Sequence, residues 1–311
     1  MRVWLTGGSG FVGSNLIAEF RAAGDEVRAA VHRTSPAAAT SIWRGDLLDA
    51  DAVRADIVQS APDVVVHAAI RNDLTGLRGD WRGAWADFVD ATRNLVDGAN
   101  AAGALIVLVS TDWVFDGTGH RVTEDQPPRP VNSYGLLKFS QERVVAERAD
   151  RGAIARIAGV NGIHRESRDL PRHQDVGFGY LALSLVQALE QGRPFTVWDA
   201  DQINNVATPS LASESARMIR RIGELGRPGI FHCCGADATT RRRFAEQVCE
   251  AFDLDAGLLR YGPPDPDALP DEPVPYDTSL DATATARKLD MPLLSLRELL
   301  ARFREERAAA L

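Results

Sequence analysis

Thr6-Gly7-Gly8-Ser9-Gly10-Phe11-Val12-Gly13 lies between an apolar run at residues 1–5 and a segment with helical spacing at residues 14–23. Glycines allow the backbone to turn tightly and to approach phosphate groups, and the amino end of a helix favours negative charge. The glycines are spaced Gly-x-x-Gly-x-x-Gly, not Gly-x-Gly-x-x-Gly. The stretch therefore predicts a strand, a loop that binds pyrophosphate, and a helix. The alternative is a glycine-rich turn that binds nothing.

The rest of the first half continues the alternation of strands and helices. Apolar segments recur near residues 2–6, 26–31, 63–68, 105–110 and 153–158, and helical segments separate them. This pattern predicts an α/β fold with a parallel sheet. Residues 34–41 are expected to form a loop, and the clearest helix after the first lies near residues 84–102.

The pattern changes after residue 160. Helices are predicted at residues 177–190, 209–221 and 241–252, a strand at residues 195–198, and irregular structure at residues 263–275. A capping box formed by Ser295 and Glu298 predicts a final helix. We expect residues 1–160 to form one domain and residues 161–311 mainly a smaller lobe, with parts near 200–235 returning to the first domain.

Composition narrows the classes of function. The chain has 311 residues, 45% of them hydrophobic and 25% charged, and a net charge of -8. These values are typical of a soluble globular protein and disfavour nucleic-acid binding. No apolar run approaches the roughly 20 residues needed to cross a bilayer, and no signal peptide is recognised. We expect a cytoplasmic protein that binds a small molecule and neither nucleic acid nor membrane.

The cysteines and histidines of the chain suggest no metal site. Cys233 and Cys234 are interpreted as buried strand residues, and no cysteine or histidine spacing matches a metal site. The triplet at residues 241–243 is interpreted as a solvated helix face.

Tyr134 and Lys138 form the candidate catalytic pair. They lie four residues apart in a segment with helical character, so they share one helix face. An ammonium beside a phenol lowers the tyrosine pKa from about 10, which suits proton transfer to a carbonyl oxygen. Thr111 ends an apolar run, where doubly wound sheets bind ligands, and is expected to hold a substrate oxygen.

Together these motifs resemble the extended short-chain dehydrogenase/reductase superfamily across nearly the whole chain. Residues 110–117, Ser-Thr-Asp-Trp-Val-Phe-Asp-Gly, are most similar to the dTDP-4-dehydrorhamnose reductase-like group. The resemblance implies a Rossmann-type doubly wound sheet that binds NAD(P), with a C-terminal substrate-binding lobe. It assigns catalysis to Thr111, Tyr134 and Lys138. It also implies cofactor contacts from Gly7, Ser9, Gly10, Phe11, Val12, Gly13, His32, Arg33, Asp46, Leu47, Ala68, Ala69, Tyr134 and Lys138.

The end of the second predicted strand indicates which cofactor is preferred. An acidic residue there favours NAD, but this chain has His32 and Arg33. A guanidinium can pair with the 2′-phosphate of NADP. We predict a preference for NADP(H), with NAD(H) as the alternative and a solvated Arg33 as the competing interpretation.

Two departures from the family bear on the reaction. The related sugar dehydratases follow the threonine with Asp-Glu, whereas Trp113 occupies the second position here and cannot act as a base. Dehydration is therefore disfavoured. Phe88 stands where the family often carries an asparagine.

Substrate contacts are predicted for Thr111, Asp112, His173, Tyr180, Gln202 and Asn205. His164, Arg165, Arg172 and His173 are candidates for a diphosphate, with solvated loop charges as the alternative. Tyr180 and Trp198 either stack on a ligand or belong to the core. Gln202, Asn204 and Asn205 are candidates to line the cleft.

The leading hypothesis is an NAD(P)H-dependent reductase of a 4-keto-6-deoxy nucleotide sugar, acting as a homodimer. The alternatives are a ketoreductase of a specialised metabolite, a nucleotide-sugar 4-epimerase, and a non-catalytic NADP-binding regulatory subunit.

Overall fold

The computed structural model describes residues 1–32, 34–71, 76–167 and 173–310. Its strands are β1 (Arg2–Thr6), β2 (Glu26–Val31), β3 (Ser41–Arg44), β4 (Val64–His67), β5 (Leu105–Thr111), β6 (Gly152–Ile157), β7 (Val160–Asn161), β8 (Phe195–Trp198), β9 (Val206–Ala207), β10 (Ser210–Leu211), β11 (Gly229–His232), β12 (Thr239–Thr240) and β13 (Leu259–Gly262). Its helices are α1 (Phe11–Ala22), α2 (Ala50–Ser60), α3 (Trp81–Trp85), α4 (Ala91–Ala102), α5 (Ser133–Arg148), α6 (Leu181–Glu190), α7 (Ala212–Leu225), α8 (Arg241–Phe252), α9 (Thr283–Leu289) and α10 (Leu296–Ala310).

A seven-stranded parallel sheet forms the centre of the molecule. Its strand order is β3-β2-β1-β4-β5-β6-β11. The order reverses between β1 and β4, and ligands bind at the carboxyl ends of strands at such a point. The predicted α/β fold with a doubly wound sheet is confirmed.

Alternating side chains of the sheet enter two cores. Val3 and Leu5 of β1 pack with α1 and α7, and Trp4 between them packs with α2, α4 and α5 on the opposite face. A third core joins α6, α8 and α10 in the C-terminal half, next to the paired strands β8 and β13. The division of the chain at residue 160 stays a prediction; β11, from the second half, joins the central sheet.

Several boundaries differ from those predicted. The predicted loop at residues 34–41 ends in β3, a short edge strand with exposed ends that carries no apolar run. The helix predicted from residue 177 begins at Leu181, because Phe178 and Tyr180 have φ values of 72° and 56°. The helix predicted at residues 209–221 is α7, which follows β10 and ends at Leu225. The strand at residues 195–198, the helix at residues 241–252 and the capping box at Ser295 are confirmed.

The interpretation of the arginine triplet was wrong for one of its members. Arg242 and Arg243 are exposed, but Arg241 is fully buried. Its guanidinium donates from Nε to Asn204 O at 2.6 Å and from Nη2 to Asp175 O at 2.6 Å. Charge spacing along the sequence does not reveal a cation whose partners come from two distant loops. Cys233 and Cys234 are buried as expected, but they lie just beyond β11.

Candidate active site

The glycine loop joins β1 to α1 and leaves very little space for side chains at its glycines. Gly7 has a φ of 73°, and a Cβ atom there would lie 2.6 Å from the backbone of Ala68. A Cβ at Gly13 would lie 1.9 Å from Gly7 O. Helix α1 begins after Gly10 without a side-chain cap from any described residue. Its first N–H groups are therefore available to an anion.

A cavity of about 750 Å³ opens beside this loop. It is lined by the following residues: Thr6, Gly7, Gly8, Ser9, Ala30, Val31, His32, Thr34, Gly45, Asp46, Leu47, Leu48, Ala69, Ile70, Arg71, Asp87 and Ala91. Six residues predicted to contact the cofactor are among them: Gly7, Ser9, His32, Asp46, Leu47 and Ala69. Thr6, Arg71 and Asp87 are additions that the sequence analysis missed. The volume, the uncapped helix and the closely packed glycines fit a dinucleotide.

Thr6 fixes the end of β4 next to the loop. Its Oγ1 accepts hydrogen bonds from the N–H groups of Ala68 (3.1 Å) and Ala69 (3.0 Å) and lies 2.8 Å from His67 Nδ1. Burial, with a contribution from the positive charge of Lys138, lowers the pKa of His67 to about 3. His67 is therefore neutral near pH 7, and its buried ring lies within hydrogen-bond distance of Thr6 and Gln141. In the sequence, the position of Thr6 at a strand end, directly before the first glycine, was the signal that could have identified it.

Helix α5 presents Tyr134 and Lys138 on one face, as the four-residue spacing predicts. The helix begins at Ser133, and Asn132 Oδ1 caps it by accepting from Gly135 N at 2.8 Å. Lys138 is buried, and its Nζ donates to Val109 O of β5 at 2.6 Å. Burial lowers the pKa of Lys138 to about 7, although the charge of Glu142 opposes the shift. The ammonium is thus anchored to the strand that ends at Thr111.

The expected lowering of the Tyr134 pKa is contradicted. Burial raises the pKa of this phenol above its ordinary value, the negative charge of Asp112 adds to the shift, and the Thr111 hydroxyl opposes it. The spacing rule placed Lys138 correctly but omitted desolvation, which disfavours the phenolate. The Tyr134 ring contacts Phe88 and Trp113 edge-on, at centroid distances of 6.3 and 5.9 Å. The protonated phenol of Tyr134 therefore packs between two aromatic rings.

Thr111 and Asp112 form the opposite side of this centre. Thr111 Oγ1 donates to Asp112 Oδ1 at 3.0 Å and accepts from Trp113 N at 3.2 Å. Burial raises the pKa of Asp112 to about 7, and the hydroxyls of Thr278 and Thr111 oppose the shift. Asp112 is only 4% exposed, and the Thr111 hydroxyl is bound to it.

Phe88 lies in a π-helical turn, Ala86–Asp90, between α3 and α4. Its carbonyl oxygen accepts from Thr92 Oγ1 at 2.6 Å and from Gln141 Nε2 at 3.0 Å. Gln141, which the sequence analysis did not select, is fully buried on α5. Where the family often places an amide, this chain has a ring that packs against Tyr134.

Most of the predicted substrate residues outside this centre have structural partners. Asn205 Nδ2 donates to Asp199 Oδ1 at 3.0 Å, and Asn204 Nδ2 donates to backbone carbonyls, including Val206 O at 3.0 Å. His173 and Gln202 are exposed, and Trp198 is half-buried. The Tyr180 ring lies 4.9 Å from the Phe11 ring of the cofactor loop.

The basic segment after β7 lies against α1 and is not free in solvent. His164 Nδ1 accepts from the N–H groups of Glu166 (3.1 Å) and Ser167 (3.0 Å). Arg165 Nε donates to Asn15 Oδ1 at 3.2 Å, and its Nη2 lies 3.2 Å from Glu306 Oε2. Two further predicted contacts, Arg33 and Arg172, lie outside the described residues.

The chain is similar to known proteins in sequence and in fold. A reductase of low-salt glycan biosynthesis from Haloferax volcanii, described as probable, is 27% identical over 260 residues, which is 83% of each chain. The β subunit of methionine adenosyltransferase 2 from Xenopus laevis is 30% identical over 246 residues, covering 76% of this chain and 68% of the relative. A hypothetical dTDP-4-dehydrorhamnose reductase from Sulfolobus tokodaii is 25% identical, with a TM-score of 0.75 over 95% of this chain and 98% of its own.

Solved structures of similar fold include a dTDP-4-dehydrorhamnose reductase from Bacillus anthracis in complex with NADP. It is 19% identical and has a TM-score of 0.75, covering 98% of this chain and 99% of its own. The nicotinamide cofactor and the preference for NADP(H) both stay predictions for this chain. The model of the RmlD substrate binding domain family matches residues 1–308. The chain therefore belongs to the RmlD substrate binding domain family, within the extended short-chain dehydrogenase/reductase superfamily.

Proposed function

We propose that this protein reduces a ketone on a nucleotide sugar, and specifically on a 4-keto-6-deoxy nucleotide sugar, with NADPH as the hydride donor. The observation that carries the proposal is the meeting of Thr111, Tyr134 and Lys138 at the same sheet edge as the glycine loop. Sequence similarity to a glycan-biosynthesis reductase supports the substrate class.

The bound nicotinamide supplies the hydride. Tyr134, whose raised pKa keeps it protonated near pH 7, donates its proton to the carbonyl oxygen. Thr111 holds that oxygen, and Asp112 orients the Thr111 hydroxyl. Lys138 is tied to Val109 O on the same face of α5 as Tyr134, and in its protonated form it stabilises the phenolate left after proton transfer. The half-buried ring of Trp113 provides no base, which favours plain reduction over dehydration.

The test is to incubate the protein with NADPH and a panel of 4-keto sugar nucleotides while following absorbance at 340 nm. We expect the absorbance to decrease only when the substrate carries both the keto sugar and the intact nucleotide. A decrease with ketones of other classes alone would support the specialised-metabolite alternative. Interconversion of the 4-epimers of a 4-hydroxy nucleotide sugar, without net NADPH consumption, would support an epimerase.

The similarity to a methionine adenosyltransferase 2 β subunit supports a second candidate, a regulatory subunit that binds NADP without turnover. Tight NADPH binding with no oxidation by any ketone would favour it.

A homodimer formed through α4 and α5 is a further proposal. Leu136 on the outer face of α5 is 43% exposed, which is consistent with such an interface. The molecular mass from light scattering tests it. The cytoplasmic location also stays a prediction; none of the described helices is long and apolar enough to cross a membrane.

A further inference from the structure

Strands β2 and β3 end side by side at one end of the cavity. Val31, the last residue of β2, is the register partner of Arg44, the last residue of β3. Val31, His32 and Gly45 line the cavity, so Arg44 lies between two segments that contribute to its wall. In doubly wound folds, the residue that follows β2 reads the ribose on the adenine side of a dinucleotide.

The Arg44 side chain is held towards the loop that follows β2. Its Nη2 donates to Ser35 Oγ at 2.6 Å, and Ser35 follows the cavity-lining Thr34. A guanidinium has five N–H donors, and this bond uses one of them. Within the described ranges, no carboxylate forms an ion pair with Arg44. Arg44 is exposed and is not itself a lining residue, so a positive charge with unused donors lies next to this end of the cavity.

The loop that carries Ser35 is itself fixed from the other half of the chain. Glu166 Oε2 accepts from Ala37 N at 3.1 Å, and Glu166 Oε1 accepts from Ala38 N at 3.4 Å. Both carboxylate oxygens are therefore directed at backbone N–H groups of the loop. The Ser35 hydroxyl and Arg44 are held in place before any ligand arrives, which lowers the entropic cost of binding.

We propose that Arg44, oriented by Ser35, binds the phosphomonoester on the adenosine ribose of NADP. The chemistry is a charge-assisted contact between a guanidinium and a phosphate, which an unsubstituted ribose cannot make. Arg44 thereby selects NADP over NAD independently of Arg33. The proposal rests on the dinucleotide cofactor of the proposed function, but not on the identity of the keto substrate.

Isothermal titration with NADP⁺ and NAD⁺ tests the proposal without a substrate. The proteins are the wild type, Arg44→Ala and Arg54→Ala, which removes an exposed arginine of α2 that does not line the cavity. We expect the wild type to prefer NADP⁺. Arg44→Ala weakens NADP⁺ binding by about tenfold or more and changes NAD⁺ binding less than about twofold. Arg54→Ala leaves both affinities within about twofold.

Three results would overturn the proposal: equal affinity of the wild type for both cofactors, an equal loss for both in Arg44→Ala, or no loss for NADP⁺. Thermal unfolding of each variant shows that it is folded, and Arg44→Lys, which keeps the charge, should retain part of the NADP⁺ preference. Because the titrations need no ketone, a failed reduction assay beside the expected affinities would contradict the proposed function and leave Arg44 as the phosphate ligand.

Discussion

Polar side chains serve different purposes in two regions of the molecule. At the sheet edge, Lys138 is bound to Val109 of β5, Thr111 to Asp112, and Tyr134 packs between two aromatic rings. In the C-terminal half, Arg241 at the start of α8 and Asn205 are bound to loop residues. The sheet therefore positions the candidate catalytic groups, whereas these polar groups of the C-terminal half hold its own loops together. Substitutions at the sheet edge should therefore remove activity, and those in the loops should remove stability.

The largest expected effect is at Tyr134. Tyr134→Phe removes the proton donor and keeps the ring between Phe88 and Trp113. We expect kcat to fall by about 10³-fold, with NADPH affinity within about threefold. The control is Tyr276→Phe, at an exposed tyrosine, which should retain wild-type turnover. Retention of most of the wild-type rate by Tyr134→Phe would remove this residue from the mechanism.

The next effect concerns the cofactor loop. A methyl group at Gly13 would lie 1.9 Å from Gly7 O, so Gly13→Ala must displace the loop. We expect NADP⁺ affinity to fall by about 100-fold or more, because the N–H groups at the start of α1 move from the phosphate. The matched control is Gly79→Ala, whose nearest contact would be 3.6 Å away. Titration calorimetry compares them, and unchanged affinity in Gly13→Ala would contradict the pyrophosphate site.

Thr111→Val gives a smaller loss of turnover. The substitution keeps the shape and removes the hydroxyl that Asp112 orients. We expect kcat to fall by about 100-fold, as when one oxyanion donor is removed. Thr118→Val, at an exposed loop, is the control. A change confined to KM would mean that Thr111 only binds the substrate.

Arg241 tests the comparison in the C-terminal half. Arg241→Met leaves the carbonyl oxygens of Asn204 and Asp175 without their donor. We expect the free energy of unfolding in urea to fall by about 2–4 kcal/mol. Arg242→Met removes an exposed member of the same triplet and should change it by less than about 0.5 kcal/mol. Equal effects of the two would contradict the structural role of Arg241.

Asp112 gives the smallest effect, which depends on pH. Its pKa of about 7 in the folded state lies above the ordinary value near 4, so the folded form retains a proton that the unfolded chain loses. This carboxyl therefore reduces stability progressively as pH rises from about 4 to 7. Relative to wild type, Asp112→Asn should gain at least about 1 kcal/mol of stability between pH 5 and pH 8. Parallel stability curves across this range would contradict the raised pKa.

The sequence predicted the parts of the molecule that short-range patterns determine. The glycine loop, the register of Tyr134 and Lys138 and the strand that ends at Thr111 each depend on fewer than about ten consecutive residues. The burial of Arg241 depends on its hydrogen bonds to residues 175 and 204, which are distant in the sequence. The burial of Lys138 lowers its pKa, and the spacing of Tyr134 and Lys138 does not predict that shift. Gln141 and Thr6 contact Phe88 and His67, which lie 53 and 61 residues away; the strand end before the first glycine marks Thr6, but no local pattern indicates either of these contacts.

The central claim is that this site transfers a hydride to a ketone and that Tyr134 supplies the proton. The most direct measurement is the reaction of a 4-keto-6-deoxy nucleotide sugar with NADPH deuterated at the transferable position, followed by mass spectrometry and NMR of the product. The account predicts one deuterium on the former carbonyl carbon and one NADP⁺ formed for each ketone reduced. Recovery of the keto sugar without deuterium, and without net formation of NADP⁺, would contradict it.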